Sequence, residues 1–587
     1  MFSIDTLRLI LNPFCKMKEW VFLCIYFGAI FLYCALIGLQ GFDMCDEGFC
    51  LTAYQQLFEH PTSAEYQFLY YNSILVGAIW NSIFGSYGIL GFRFFSVLLR
   101  VAMAIIVYNI LKPYINRWCI FAGVMLVILN LRYVMVFHWN EFTALMSLLI
   151  IWALYESLKR KSLYLIAIAG GLIAINSFSR LPNISLLSLS LMIIPFYLYT
   201  KDISNTLRML GSAIGGFIVG IVLQIGLMIY LGHWDIFVDN ILSSGVGQVT
   251  DAETGHSLSN ILNVYIWNYQ EVLSCIAYII VYPALLWYIP ELNNSKILQR
   301  IILVMSMIIF VLKMWQISSE YTFIIYALSY LIFAYFILKR YSDENITYLI
   351  LIATIVMFFL PFGSTAGIDN MGPHCIWIST PLALGLAYHE LRDTYNTQPY
   401  KVVLLSTTLL ISMSMLSLRC IRHTYKNAYF DYAKRTTMTC RIHHPLANTY
   451  TTKERCIIVD ELLLHLNEYV KEGDYLLAWY SVPMVHYLTH TYPYLNCAWP
   501  TSLDLHQMRQ HFINAEKNIP TLPVILRHKS GMCAWPVHND DWDSTTSTDQ
   551  WSFNSQTIET IQRFIAKHNY IVAWENELWQ ILVPNNL

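Results

Sequence analysis

Residues 19–48 read EWVFLCIYFGAIFLYCALIGLQGFDMCDEG. About twenty apolar residues, enough for one helix to cross a bilayer core, run directly into three acids, Asp43, Asp46 and Glu47. A chain leaving a membrane would have just emerged at that point. A single acid at a helix start is enough to cap free N–H groups and to favour the helix dipole. Three acids at one boundary ask for a further reason.

Composition sets the class. Of 587 residues, 56% are hydrophobic, 15% aromatic and 13% charged, against roughly 25% charged in an ordinary soluble domain. The chain therefore reads as a membrane protein. A net charge of -2 and the lack of any basic run exclude nucleic acid as a partner. The thirteen cysteines are scattered, with no CxxC and no zinc spacing. The segment behind Lys16 and Lys18 is too long for a signal-peptide core and has no small-residue cleavage site, so it reads as a retained first span.

Windows of about twenty residues mark spans near 19–40, 88–111, 118–136, 141–158, 162–178, 182–199, 209–231, 270–290, 299–316, 321–338, 346–361, 374–390 and 401–418. Pro182 marks the break between two of them. Alternate loops carry Lys112 and Arg117; Lys159, Arg160 and Lys161; Lys201 and Arg208; Lys296 and Arg300; Lys339 and Arg340; Arg392 and Lys401. Positive charge collects on cytoplasmic loops, so the N-terminus is expected inside. An odd span count then leaves the C-terminal segment outside. From about residue 420 no apolar run is long enough to span. An amphipathic stretch, KERCIIVDELLLHLNEYVKEG, alternates there with strand candidates DYLLAWY, LPVILRH and YIVAWENELWQILVP. The expected architecture is an all-α polytopic membrane protein of about 13 transmembrane helices (1–419), with a C-terminal soluble α/β extracytoplasmic domain (420–587). In an oxidising compartment, Cys440, Cys456, Cys497 and Cys533 could form one or two disulfides. Trp479, Trp499, Trp535, Trp574 and Trp579 read first as core and second as a sugar-stacking surface.

Sorted by side, the polar residues beside apolar runs gather on the outer face. Asp43, Asp46 and Glu47 follow the first span; His138, Asn140 and Glu141 precede the fourth; Asp235, Asp239, Asp251, Glu253 and His256 lie in the loop after the seventh; Glu320, Asp369 and His374 lie in later outer loops. An ionisable group at a helix mouth is a functional-site candidate. EGFCLTAYQQLFEH, with apolar residues at 49, 50, 53, 54, 57 and 58, is too short to span and is expected along the membrane surface. A break at PTSAEY and a second helix, QFLYYNSILVGAIWNSIFGSYG, complete an outer loop over about 41–87.

An outer loop with an acid pair, a juxtamembrane helix, a second partly buried helix and a span opening FRFFS (92–96) resembles the GT-C superfamily of integral-membrane glycosyltransferases, in particular its protein O-mannosyltransferase and aminoarabinose transferase branch. HWNEFTALMSLLIIWALYESLKRK (138–161) is similar to that branch's second acidic motif. FSRLPN (178–183), FGSTAGIDNMG (362–372) and GDYLLAWYSVPMVHYLTHTYP (473–493) extend the likeness. Two positions depart from the pattern: Glu141 stands where Asp is common, and YQFLYYNS replaces a Lys-Pro-Pro or His-Pro-Pro opening.

The resemblance implies transfer of a sugar, with inversion, from a polyprenyl-phosphate donor to an acceptor lipid, glycan or protein at the outer face of the plasma (inner) membrane. The acceptor hydroxyl needs a carboxylate base, for which Asp46 is the first candidate and Glu47 the second; Asp43 reads as a cap. Glu141 is assigned to orienting acceptor or sugar. The departing phosphate needs a fork of donors, best supplied by Arg93 and Arg180, with Lys313 and His374 behind them; His138, Asn140 and Asp369 complete the substrate-binding set. Several carboxylates could meet around a divalent metal, but no cofactor is demanded. The rival classes are a transporter or flippase of lipid-linked saccharides and a scaffold without activity. Missing internal repeats count against a transporter.

Overall fold

The computed structural model describes residues 17–41, 43–131, 136–242, 257–292, 295–317, 321–339, 343–364, 366–428, 431–432, 449–479, 482–529 and 555–585. In chain order the helices of the first part are α1 (Glu19–Gly38), α2 (Asp46–Gln56), a 3-10 helix (Pro61–Tyr70), α3 (Tyr71–Phe84), α4 (Gly88–Leu111), α5 (Arg117–Asn130), α6 (Trp139–Arg160), α7 (Leu163–Ser177), a second 3-10 helix (Leu181–Met192), α8 (Ile193–Thr200), α9 (Ile203–Tyr230) and α10 (Trp234–Asn240). They continue as α11 (Leu258–Leu292), α12 (Lys296–Ile317), α13 (Tyr321–Leu338), α14 (Glu344–Phe359), α15 (Ile368–Cys375), α16 (Ser379–Tyr395) and α17 (Pro399–Lys426). Most predicted windows fall on single helices; 182–199 covers the second 3-10 helix and α8, 374–390 bridges the break between α15 and α16, and part of 118–136 lies outside the described residues. Among the described residues, eight helical segments are long and apolar enough to cross a membrane, including Glu19–Gly38, Trp139–Arg160, Ile203–Tyr230 and Tyr321–Leu338. Arg117–Asn130, Leu163–Ser177 and Glu344–Phe359 are apolar but shorter, so the count of thirteen goes beyond what helix length supports.

Close approach of small residues joins α7 to α9. A Cβ on Gly216 would collide with the Ala167 carbonyl oxygen, and one on Gly170 with that of Ala213. Without an oil–water contrast between helices in lipid, such backbone-to-backbone packing carries the association. Pro182 separates α7 from the second 3-10 helix, where it occupies the first turn and needs no N–H partner. At about 2.0 Å per residue a 3-10 helix advances further than an α-helix, so a short apolar stretch covers more depth.

The C-terminal part comprises α18 (Lys453–Leu466), β3 (Tyr475–Trp479), α19 (Met484–Thr489), β4 (Tyr492–Pro493), α20 (Leu505–Asn518), β5 (Val524–His528), α21 (Ser555–Lys567), β6 (Tyr570–Glu575) and β7 (Trp579–Pro584); the two-residue strands β1 (Asn427–Ala428) and β2 (Asp431–Tyr432) precede it. Five strands form one mixed sheet, in the order β4-β3-β5-β7-β6. β3 is parallel to β4 and β5, and β7 is antiparallel to β5 and β6. Alternation along the strands divides two cores. Leu476, Ala478 and Leu526 face Val459, Leu462 and Leu466 of α18, whereas Leu477, Trp479 and Ile525 face Phe512 of α20 and Phe564 of α21. Trp479 and Trp579 are core, as first expected; Trp499 and Trp574 are half-buried, and Trp535 lies outside the described residues. Cys456 and Cys497 are both buried, and Cys497 is free, which corrects the expected disulfide for that residue; Cys440 and Cys533 lie outside the described residues.

This part packs directly on α2. The Met484 N–H donates to the Met44 carbonyl (3.0 Å), Thr52 Oγ1 donates to the Pro483 carbonyl (3.0 Å), and Gln56 Nε2 donates to the Thr491 carbonyl (2.8 Å). Gln40 and Tyr450 form a parallel bridge beside it. Residues 47–54 and 56 of α2 are consequently buried. The expected one-sided surface helix is thus corrected: α2 has a covered second face, because residues more than four hundred positions away fold over it.

Candidate active site

The site forms at the end of the helical body that carries α2. Asp43 accepts from the N–H groups of Cys45 (2.7 Å) and Glu47 (3.1 Å), while Glu47 Oε2 accepts from the Asp43 N–H (3.1 Å). The two acids cap α2 reciprocally, in the manner of a capping box. Glu47 is further committed. Its Oε2 takes Arg93 Nη2 at 2.8 Å, both side chains being buried, and its Oε1 takes the Val136 N–H at 3.3 Å. Arg93 Nη1 donates to the carbonyls of Gly38 (2.7 Å) and Gln40 (3.4 Å). Arg93 and Glu47 therefore tie the end of α1 to the start of α2.

Asp46 differs from its two neighbours. It opens α2 half-exposed, where Asp43 and Glu47 are buried. Burial first, and then the charges of Asp46 and Glu47, push the Asp43 carboxyl well above the usual carboxylate range. Asp46 also acts electrostatically on Cys50 and on Tyr70.

A second acid–base pair lies deeper. Arg93, Ser96 and Arg100 share one face of α4, at i, i+3 and i+7. Ser96 Oγ donates to Glu141 (2.7 and 2.8 Å) and Arg100 Nε donates to Glu141 Oε1 (2.7 Å). All three side chains are buried. Sequence reasoning placed Glu141 at the site but missed Ser96 and Arg100, although FRFFSVLLR (92–100) carries the polar stripe openly.

His138 precedes α6, and burial with the nearby Arg100 charge pushes it down to about 3, so it is neutral at pH 7. Its ring lies edge-on to that of His374 on α15, at 5.6 Å. Asn140 Nδ2 donates to Asn370 Oδ1 (3.0 Å), a second tie between α6 and α15. Asp369 opens α15 half-buried. The Nδ1 atoms of both histidines are buried with no hydrogen-bond partner among the described residues. Lys313 belongs to α12, but its side chain lies outside the described residues, as do Asp251, Glu253, His256 and Glu320. Asp235 and Asp239 sit exposed on α10.

Arg180 stands in the turn between α7 and the second 3-10 helix and is 6% exposed. Among the described residues no carboxylate pairs with it, and Nη1 has no hydrogen-bond partner. Burial pulls its pKa below the ordinary value, with Tyr70 and Cys375 opposing that shift. Its charge also reaches His374. Tyr70 thus interacts with both Arg180 and Asp46, and it stacks on Trp139 at 4.4 Å. Phe49 meets Trp139, Tyr66 and Trp499 edge-on at 6.0–6.1 Å, continuing this aromatic wall.

The structure therefore joins Glu47 to Arg93, Glu141 to Arg100 and His138 to His374, and among the described residues no carboxylate pairs with the buried Arg180. Among the described residues no three His, Cys, Asp or Glu side chains group as metal ligands. No protein-family model matches this chain, and no curated protein matches it significantly.

Proposed function

We propose that the chain is a membrane glycosyltransferase that moves a sugar from a polyprenyl-phosphate donor to an acceptor at the membrane boundary, the C-terminal part lying outside. The observation that carries this reading is Arg180, a buried guanidinium with a free Nη1 and no carboxylate partner among the described residues. An uncompensated buried charge costs several kcal/mol (about 3–5) when a partner is lost. A phosphate monoanion or dianion would satisfy both the charge and the free donor.

In this reading Asp46 takes the acceptor hydroxyl proton as that oxygen attacks the anomeric carbon. The bond from that carbon to the phosphate oxygen breaks on the opposite face, and the phosphate leaves with the electron pair. Arg180 stabilises the charge that grows on it. Tyr70, Trp139 and Trp499 offer aromatic faces for the sugar between the two groups. The half-exposure of Asp46 suits a base that must meet an acceptor from water. Glu47 and Asp43 serve to fix the turn that holds it.

The test is whether purified chain in lipid releases polyprenyl phosphate from a labelled polyprenyl-phosphate sugar when given membrane extract. Acceptor-dependent release is expected. A second reading, transport of lipid-linked saccharide, is favoured by the Arg100–Glu141 pair within the α4–α6 contact. It predicts movement of intact donor across a sealed vesicle with no release.

A further inference from the structure

At the opposite end of α6 from Glu141, an open apolar groove lies between α6, α7, the second 3-10 helix and α9. Its walls include Leu154, Leu158, Ile166, Met192, Ile214 and Phe217, and Ser190 is the one polar side chain among those that line it. On α6 (Trp139–Arg160) the wall residues Leu154 and Leu158 lie 13 and 17 residues beyond Glu141, which at 1.5 Å per residue separates them from it by roughly 20–25 Å. The mouth faces outward: Ile214 is 52% exposed and Leu187 42%, on helices apolar enough to cross a membrane.

Cations cluster at the same helix ends. Lys159, Arg160 and Lys161 follow Leu158 directly; Lys201 ends α8, which begins with the groove residue Ile193; Arg208 lies two residues before Leu210, another wall residue. All five are exposed. Lys161 and Lys201 occupy left-handed C-cap positions at φ 54° and 53°. Acids lie at the same end: Glu156 pairs with Arg160 at 2.6 Å, Asp202 accepts from the Asn205 N–H to cap α9, and Asp343 acts electrostatically on Tyr155. Lys159 is drawn over the rings of Tyr114 and Tyr155. Lys161, Lys201 and Arg208 remain as exposed cations at these helix ends.

We propose that this groove binds an anionic glycerophospholipid of the bilayer, one acyl chain lying along Leu158, Ile166 and Phe217 and the phosphate headgroup meeting Lys161, Lys201 and Arg208. Apolar walls alone would take any acyl chain. The cationic rim selects the anionic headgroup, since each Lys or Arg near the surface favours anionic lipid by roughly fivefold. The site is independent of the glycosyl-transfer reading, and the cations lie at the end of α6 opposite Glu141.

The full chain in mild detergent is titrated with dioleoylphosphatidylglycerol or dioleoylphosphatidylcholine, and bound lipid is counted by native mass spectrometry alongside the thermal midpoint. Wild type is expected to hold phosphatidylglycerol in preference and to gain thermal stability from it. Lys161→Gln, Lys201→Gln and Arg208→Gln together should lower that preference about a hundredfold and leave phosphatidylcholine binding unchanged. Ser190→Trp, which fills the groove from its exposed edge, should displace both lipids; Ile214→Trp replaces it if that variant does not fold. Equal binding of the two lipids by wild type, an unchanged preference in the triple variant, or full lipid retention in the folded groove-filled variant would each overturn the proposal.

Discussion

Of the three acids that follow α1, Asp43 and Glu47 hold the α2 start together and Glu47 also anchors Arg93. Asp46 is left as the half-exposed carboxylate of the turn. We expect Asp46→Asn to fold and bind donor while losing roughly a hundred- to ten-thousand-fold in turnover, the usual contribution of a positioned base. Asp43→Asn should instead lose about 1 kcal/mol of stability, as a broken cap does, with turnover largely kept. Turnover and donor affinity measured side by side separate the two; near-normal turnover in Asp46→Asn would return it to a dipole-stabilising role. Glu141 makes a different demand, because it faces Arg100 and Ser96 in a buried pair. Glu141→Ala strands Arg100 and should cost about 3–5 kcal/mol, whereas Glu141→Met with Arg100→Met should recover most of it. A double variant as unstable as the single one in a thermal melt would show that the pair is not what couples α4 to α6. The acids at the span mouths were legible because charge is rare beside apolar runs. Their partners were not: Arg100 is seven residues from Arg93 in sequence, yet only the packed helices show that each arginine faces a different glutamate and that, among the described residues, Arg180 faces none.

At the level of elements, α2 depends on contacts that no local pattern announces. A Cβ at Gly48 would collide with the backbone of Met484, which cannot yield as a side-chain tip would. Gly48→Ala should therefore pry α19 from α2 and raise hydrogen exchange across Met484–Thr489. Gly211→Ala on α9, where nothing lies within 4 Å, should be neutral or stabilising by about 0.5–1 kcal/mol. Unchanged exchange in Gly48→Ala would contradict the packing described. Most apolar windows read from the sequence fall on single helices because hydrophobic length is a local property. The strand candidates LPVILRH and DYLLAWY became β5 and β3 for the same reason, and YIVAWENELWQILVP became the hairpin β6–β7, turning at residues 576–578. The two 3-10 helices and the burial of both faces of α2 were not legible. Winding at Pro61 and Pro182 and cover from Pro483 are decided by what packs on them.

For the molecule as a whole, the bilayer end and the C-terminal sheet meet through Gln40–Tyr450 and Met44–Met484, a junction invisible to any sequence window. The sheet carries its own pH dependence. Burial pushes His528, whose ring packs on Trp579 at 4.7 Å, down to about 4, against roughly 6.5 when unfolded. Between these values the unfolded state binds more protons, so stability is complete above about pH 6.5 and falls by roughly 3 kcal/mol as pH drops through 4. His528→Phe should flatten the thermal midpoint of the C-terminal part over that range; an identical pH profile would contradict it. The alternation of Lys and Arg between loops implies that this part lies outside, and a reporter active only outside, fused after residue 587, should be active there. A silent outside reporter beside a working cytoplasmic one would remove Asp46 from the face where the acceptor is expected. The most direct measurement is equilibrium binding of polyprenyl phosphate to the full chain in phosphatidylcholine nanodiscs, comparing wild type with Arg180→Gln, Arg180→Lys and the exposed control Lys471→Gln. We expect Arg180→Gln to lose roughly ten- to a hundredfold in affinity, as expected for a charge-assisted hydrogen bond, with Lys intermediate because a point charge replaces a fork, the control unchanged, and the ligand-free Gln variant at least as stable as wild type because it sheds an uncompensated buried charge. Equal affinity in all four proteins, or a ligand-free Arg180→Gln that melts well below wild type, would contradict the assignment of Arg180 to the carrier phosphate.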